Sequence, residues 1–232
     1  MMSFDDYQTD IKWPVPAQPP GDWKTLEQEE AGAILADTLK DGAVSVLCAR
    51  ALPLGFYPEH LAVEVLLDTK NDAGAGVLTL VVGKQATVLR GMSWVIHEFN
   101  ENIPVSLPDL ETAKSYLQFF CFYVHGEQGS FRVIETVDDI PWNSEPGVAK
   151  LKRKLKKIIK PVQIKQTSSP SEGFLCDALI CYDKALFYSQ FHIQKTGMIE
   201  MLDDEFLDLE YDQETLPIAP DLCVEAIRYA GQ

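Results

Sequence analysis

Arg90, Trp94, His97 and Glu98 are the residue types near mid-chain that could carry proton chemistry. An imidazole beside a carboxylate can act as a general base, and an aromatic ring can wall a pocket. The plainer reading makes the same residues part of an irregular stretch, Gly91–Leu107, that ties one meander to the next helix. The other histidines ask for less. His125 falls in the expected last turn of a helix, where a cation meets the negative end of the helix dipole. His60 follows Pro58-Glu59 in a loop, and His192 lies on the polar face of a strand.

Two charge blocks stand out more strongly. Residues 150–160 hold seven of the chain's twenty Lys and Arg, among them Lys152, Arg153, Lys156 and Lys157, the candidate contacts for a partner. Residues 203–214 hold seven acids and no base. The basic helix could neutralise that acidic segment within the molecule, or it could bind an acidic partner or an anionic surface. Its short apolar stripe and the net charge of −15 argue against stable membrane attachment. No aromatic residue interleaves these lysines to stack on bases, and the acidic bulk disfavours nucleic acid.

Familiar catalytic signatures are missing. Gly83-Lys84 is followed by Gln85, so no phosphate-cradling loop forms there. Gly74 and Gly76 sit between two strands, not between a strand and a helix, and no Gly-x-Ser-x-Gly elbow occurs. Cys176 and Cys181 are five apart on one strand, so they face opposite ways and cannot share a metal or a disulfide. No metal and no cofactor is expected. The five cysteines are odd in number, and all but Cys223 lie in apolar runs. Such thiols behave as small hydrophobes and fit a reducing, cytoplasmic setting. The acidity is of a kind common among soluble bacterial binding proteins.

The elements that would position these residues follow from periodicity. Phe174–Tyr182, a turn at Asp183-Lys184, the run 185–194, a turn at Thr196-Gly197 and Met198–Leu202 read as three antiparallel strands. Leu61–Asp68, Val77–Val82 and Ala86–Arg90 form an earlier meander. From Asp109 to Val124 an apolar stripe widens until the helix is apolar nearly all round, which predicts deep burial. Thr25 and Gln28 read as a capping box for a helix ending near Lys40, where Asp41-Gly42 would stop it. Further strands are expected at Val44–Arg50, Phe131–Val137 and Pro161–Lys165, and a basic helix at Val148–Lys160.

These elements predict an α+β fold, with antiparallel meanders at about 61–90 and 161–202 packed on a buried central helix at 109–124. A proline-rich arm (1–21) would precede the globular region (22–202), and an acidic segment with a short helix near Asp221–Tyr229 would close the chain (203–232). Two architectures stay open: a duplicated α+β unit with its boundary near residue 105, or one mixed sheet with helices on one face. In outline, helices before curved meanders resemble NTF2-like domains and acidic secretion-chaperone-like or immunity-type proteins.

The pattern points first to a non-enzymatic cytoplasmic binding or regulatory protein with an unknown protein partner. The alternative is a small-molecule-binding domain or enzyme with a pocket between sheet and helix at His97 and Glu98. Oligomeric state is not legible in the sequence.

Overall fold

A computed structural model describes residues 13, 18–36, 38, 45–68, 75–144, 146–169, 171–209 and 216–218. They fall into two compact units, which divide between Arg90 and Gly91. Trp13 belongs with the first and residues 18–20 with the second.

The first unit has β1 (Lys24–Leu26), α1 (Gln28–Ala36), β2 (Ser45–Pro53), β3 (Leu61–Asp68), β4 (Ala75–Val82) and β5 (Ala86–Leu89). The strands form one antiparallel sheet in sequence order. Alternation decides what each face carries. Ala49, Ala51, Val63, Val65, Leu78 and Leu80 share the face that buries Ala31 and Leu35 of α1. The opposite face brings Arg50, Glu64 and Thr79 side by side across three strands. Glu64 is only 2% exposed, and Arg50 Nε donates to its Oε2 at 2.6 Å. Trp13 and Trp23 lie against the guanidinium, with ring centroids 4.1 and 4.7 Å from Cζ.

The second unit runs α2 (Ser93–Asn102), α3 (Leu110–Tyr123), the small hairpin β6 (His125–Gly126) and β7 (Gly129–Ser130), then β8 (Arg132–Ile134) and α4 (Val148–Leu155). It ends with β9 (Gln163–Gln166), β10 (Phe174–Tyr182), β11 (Ala185–Ile193) and β12 (Ile199–Phe206). Strand order is β12-β11-β10-β8, with β9 also on β10. Phe174–Asp177 pair with β9 and Leu179–Cys181 with β8, so these two short strands lie end to end along one side of β10. Glu135 joins their ends. One of its oxygens accepts the Val162 N–H (3.1 Å) and the other accepts Nε2 of Gln118 on α3 (2.9 Å).

Each unit therefore has a helix followed by a four-position meander: α1 before β2-β3-β4-β5, and α3 before β8/β9-β10-β11-β12. In the second case α4 is inserted where the first position is split.

The β10–β11 turn falls at Asp183-Lys184, as alternation requires. Both residues take left-handed backbone, with φ of +46° and +61°. Gly173, just before β10, has φ +116°, and a Cβ there would meet the Ile193 carbonyl oxygen at 2.0 Å. Burial pushes the Cys121 thiol far up and the Cys176 thiol to about 12, so both are protonated core groups.

Several expectations are corrected. Thr25 pairs with Arg50 in β1 and caps nothing; α1 starts at Gln28, whose side chain reaches the Val46 carbonyl (3.3 Å). Cross-strand pairing there outweighs a local cap. Gly91–Leu107 is not irregular, since it contains α2. The compact units divide ahead of α2, because that helix packs on α3 through His97–Phe120 and Asn100–Tyr116 contacts. Within the second unit the long helix packs on β8 and β9, and within the first α1 packs on its own sheet. β8 stops at Ile134, and α4 at Leu155. β12 runs on to Phe206, into the stretch expected to begin an acidic tail. His125 pairs with Ser130 beyond the helix end. Most of the arm, the end of the first helix at 39–42, residues 210–215, Cys223 and the helix near 221–229 lie outside the described residues.

Two substitutions test this construction. Glu64→Ala leaves a buried guanidinium without its carboxylate and should cost ~3–5 kcal/mol in denaturant unfolding. Glu135→Ala removes the clasp between β8 and β9 and should cost ~1–3 kcal/mol. Hydrogen exchange should then quicken in those two strands before β11.

Candidate functional site

Helix α2 sets where the proton-chemistry candidates point. Successive helical residues are ~100° apart, so His97 and Glu98 leave the helix in different directions. Val95, Ile96 and Asn100 are buried, whereas Trp94 is 59% exposed and Glu98 is exposed as well. Arg90 is an exposed residue of the first unit. Of the three on α2, His97 lines a cleft of the second unit.

His97 shares this cleft, of about 470 Å3, with Asn100, Glu101, Val105, Lys195 and Met198. Its ring packs against Phe120 at 5.4 Å, and burial holds its pKa below the usual imidazole value. Asn100 Nδ2 donates to the Tyr116 hydroxyl (2.9 Å), which donates to the Gly197 carbonyl (2.7 Å). That chain ties helix, helix and hairpin together behind the cleft. Lys195 is engaged as well: its ammonium lies 4.2 Å from the Phe174 ring centroid and donates to the Leu107 carbonyl. The cleft offers a half-buried imidazole of lowered pKa, with the Glu101 carboxylate also on its lining.

The basic candidates divide. Leu151 and Leu155 bury one side of α4. Lys152 reaches Asp138 at 3.8 Å and lies over the Trp142 ring, and Arg153 Nε donates to the Ala149 carbonyl (3.3 Å). Lys154 donates to the Leu209 carbonyl. Lys156 and Lys157, just past the helix, are exposed and have no partner among the described residues. No described residue of 150–160 forms an ion pair with Asp203, Asp204 or Glu205, so over that stretch intramolecular neutralisation is not how the acids are held.

Those acids belong instead to an open sheet edge. Seven of β12's eight residues are exposed, and among the described residues it pairs only with β11. Register assigns its faces. Ile199, Met201, Asp204 and Phe206 share the α3 face, and Glu200, Asp203 and Glu205 share the other. Leu202 is the extra residue where register shifts opposite Gln190 and Phe191. Met201 is 53% and Phe206 58% exposed, with Phe206 edge-on to Phe187 at 5.8 Å. Beside the acidic face lies a depression of about 370 Å3, lined by Lys160, Asp177, Tyr188, Gln190, Asp203 and Glu205.

The opposite side of this sheet is closed differently. The Gln18 side chain donates through Nε2 to the Val133 carbonyl (2.6 Å) and accepts the Val133 N–H through Oε1 (3.3 Å). It occupies β8 as a neighbouring strand would.

No family model matches this chain, and no curated protein or solved structure matches it either.

Sequence reasoning placed this strand at Met198–Leu202 and missed its continuation to Phe206, because the acid count of 203–214 concealed it. The signal was there: Met201, Leu202 and Phe206 among the acids.

His97 yields a pH prediction. Its folded pKa lies below the unfolded value, so the unfolded chain binds more protons in the window between the two. Stability should fall as pH drops through that window, and His97→Gln should flatten this part of the profile. NMR titration should place the His97 midpoint below 6.5, the ordinary value.

Proposed function

We propose that this is a non-enzymatic binding or regulatory protein that holds a partner protein against the edge of its second sheet. The observation carrying the proposal is β12, an eight-residue edge that leaves Met201, Leu202 and Phe206 in water. Natural sheets usually shorten, cover or blunt such an edge. A long one that keeps its apolar side chains is suited to pairing with another chain. Lys156 and Lys157 offer a second, basic contact for an acidic stretch of the same partner. The cytoplasm is the proposed compartment, supported by free thiols at Cys48, Cys121, Cys176 and Cys181. No helix among the described residues is long and apolar enough to cross a membrane.

The cleft at His97 favours a second reading, a small-molecule-binding domain. Under it, a ligand found by thermal shift should lose its effect in His97→Ala. An unchanged response removes His97 from the site.

The first reading is tested by capture from native lysate at low and high salt, with wild type beside a Met201→Asp/Phe206→Asp variant. Both positions are exposed, so stability should change by less than ~0.5 kcal/mol. A stoichiometric partner held by wild type and released by the variant is expected. No stoichiometric partner at either salt counts against the reading.

A further inference from the structure

We infer that the guest on β12 is an extended segment in which basic and apolar residues alternate. This rests on the reading that β12 is the binding edge, and it adds the chemistry of what binds there.

The argument starts from register. A strand pairing with β12 places its side chains alternately on the two faces of the sheet. On the α3 face they meet Ile199, Met201, Asp204 and Phe206, and on the other Glu200, Asp203 and Glu205. Directly opposed residues of paired strands sit close enough that like charges destabilise and opposite charges or apolar pairs stabilise. The guest therefore needs Lys or Arg on the face of Glu200, Asp203 and Glu205, and Val, Ile, Leu or an aromatic residue on the other except where it meets Asp204.

The depression beside the acidic face extends the match. A basic side chain crossing Asp203 or Glu205 reaches a concavity holding Asp177 and the half-exposed Tyr188 ring, which suit a cation by charge and by π-face. Gln190 Nε2 already donates to Asp177 Oδ1 at 2.8 Å and holds that carboxylate on the lining. Lys160 on the rim leaves the acids in the majority.

A second copy of this chain is a poor occupant. β12 carries Glu200, Asp203, Asp204 and Glu205, so pairing it with itself sets acid near acid, on a chain of net charge −15. Repulsion of this kind keeps copies apart but does nothing to cover Met201 and Phe206.

The test uses the full chain and three synthetic peptides as long as β12. One alternates Lys with Val, one has the same composition in two blocks, and one alternates Glu with Val. The alternating Lys peptide should bind saturably by fluorescence anisotropy, slow exchange of β12 amides, and weaken about tenfold in Asp203→Lys/Glu205→Lys or at high salt. The other two peptides should not protect β12. Equal binding of the block peptide would show charge attraction without strand pairing and overturn the inference. So would binding that the charge reversal leaves unchanged, or a dimer that Phe206→Asp dissolves, since the occupant would then be a second copy. If the alternating peptide fails while lysate capture still depends on Met201 and Phe206, only the guest chemistry is wrong. If both fail, the edge is not a binding site.

Discussion

A helix that is apolar on nearly every side has no stable place in water, and α3 is such a helix. From Tyr116 to Tyr123 every side chain is buried, and the five Phe and Tyr rings are in mutual contact. The second unit has to surround it. The sheet supplies one wall through Phe174, Cys176 and their neighbours, and α2 supplies another through His97 and Asn100. Polar groups on the rod then become fixed points. Gln118 holds Glu135, which joins the halves of a split strand, and Tyr116 holds Gly197 at the tip of the β11–β12 hairpin. The open edge is thus anchored at its start by the most buried element of the unit.

The first unit meets a similar demand with one polar exception. Its sheet is packed on both faces along β3, and Arg50 and Glu64 are set opposite each other within it. A pair of this kind adds little net stability over an apolar pair, but each member is costly without the other. Thr79 beside them and the two tryptophans over the guanidinium complete a polar island.

Much of the fold was legible because period two and period 3.6 are direct consequences of backbone geometry. Phe174–Tyr182 and Ala185–Ile193 came out with the expected faces, and Asp109 begins α3 by accepting the Thr112 N–H at 2.8 Å. The failures share a cause: they are places where distant residues decide. Thr25 is drawn into a strand by β2. Ser93–Asn102 is short, carries Val95-Ile96, and lacks a capping side chain, so nothing local announces a helix. Of the site candidates, His97 reached a concave surface because its helix turns it inward, and Trp94 and Glu98 did not. Which strand would be outermost could not be read from alternation, since an edge is defined by what fails to pair with it.

The two sides of the second sheet are unequal, and this bears on whether the molecule can polymerise. One side is broken into β8 and β9 with Gln18 plugging part of it, and the other is continuous along β12. Fibre growth by strand stacking requires each subunit to offer a complementary ledge at both ends. Among the described residues the second sheet offers a newcomer one unbroken ledge, so a ladder built on that sheet lengthens by one rung and stops.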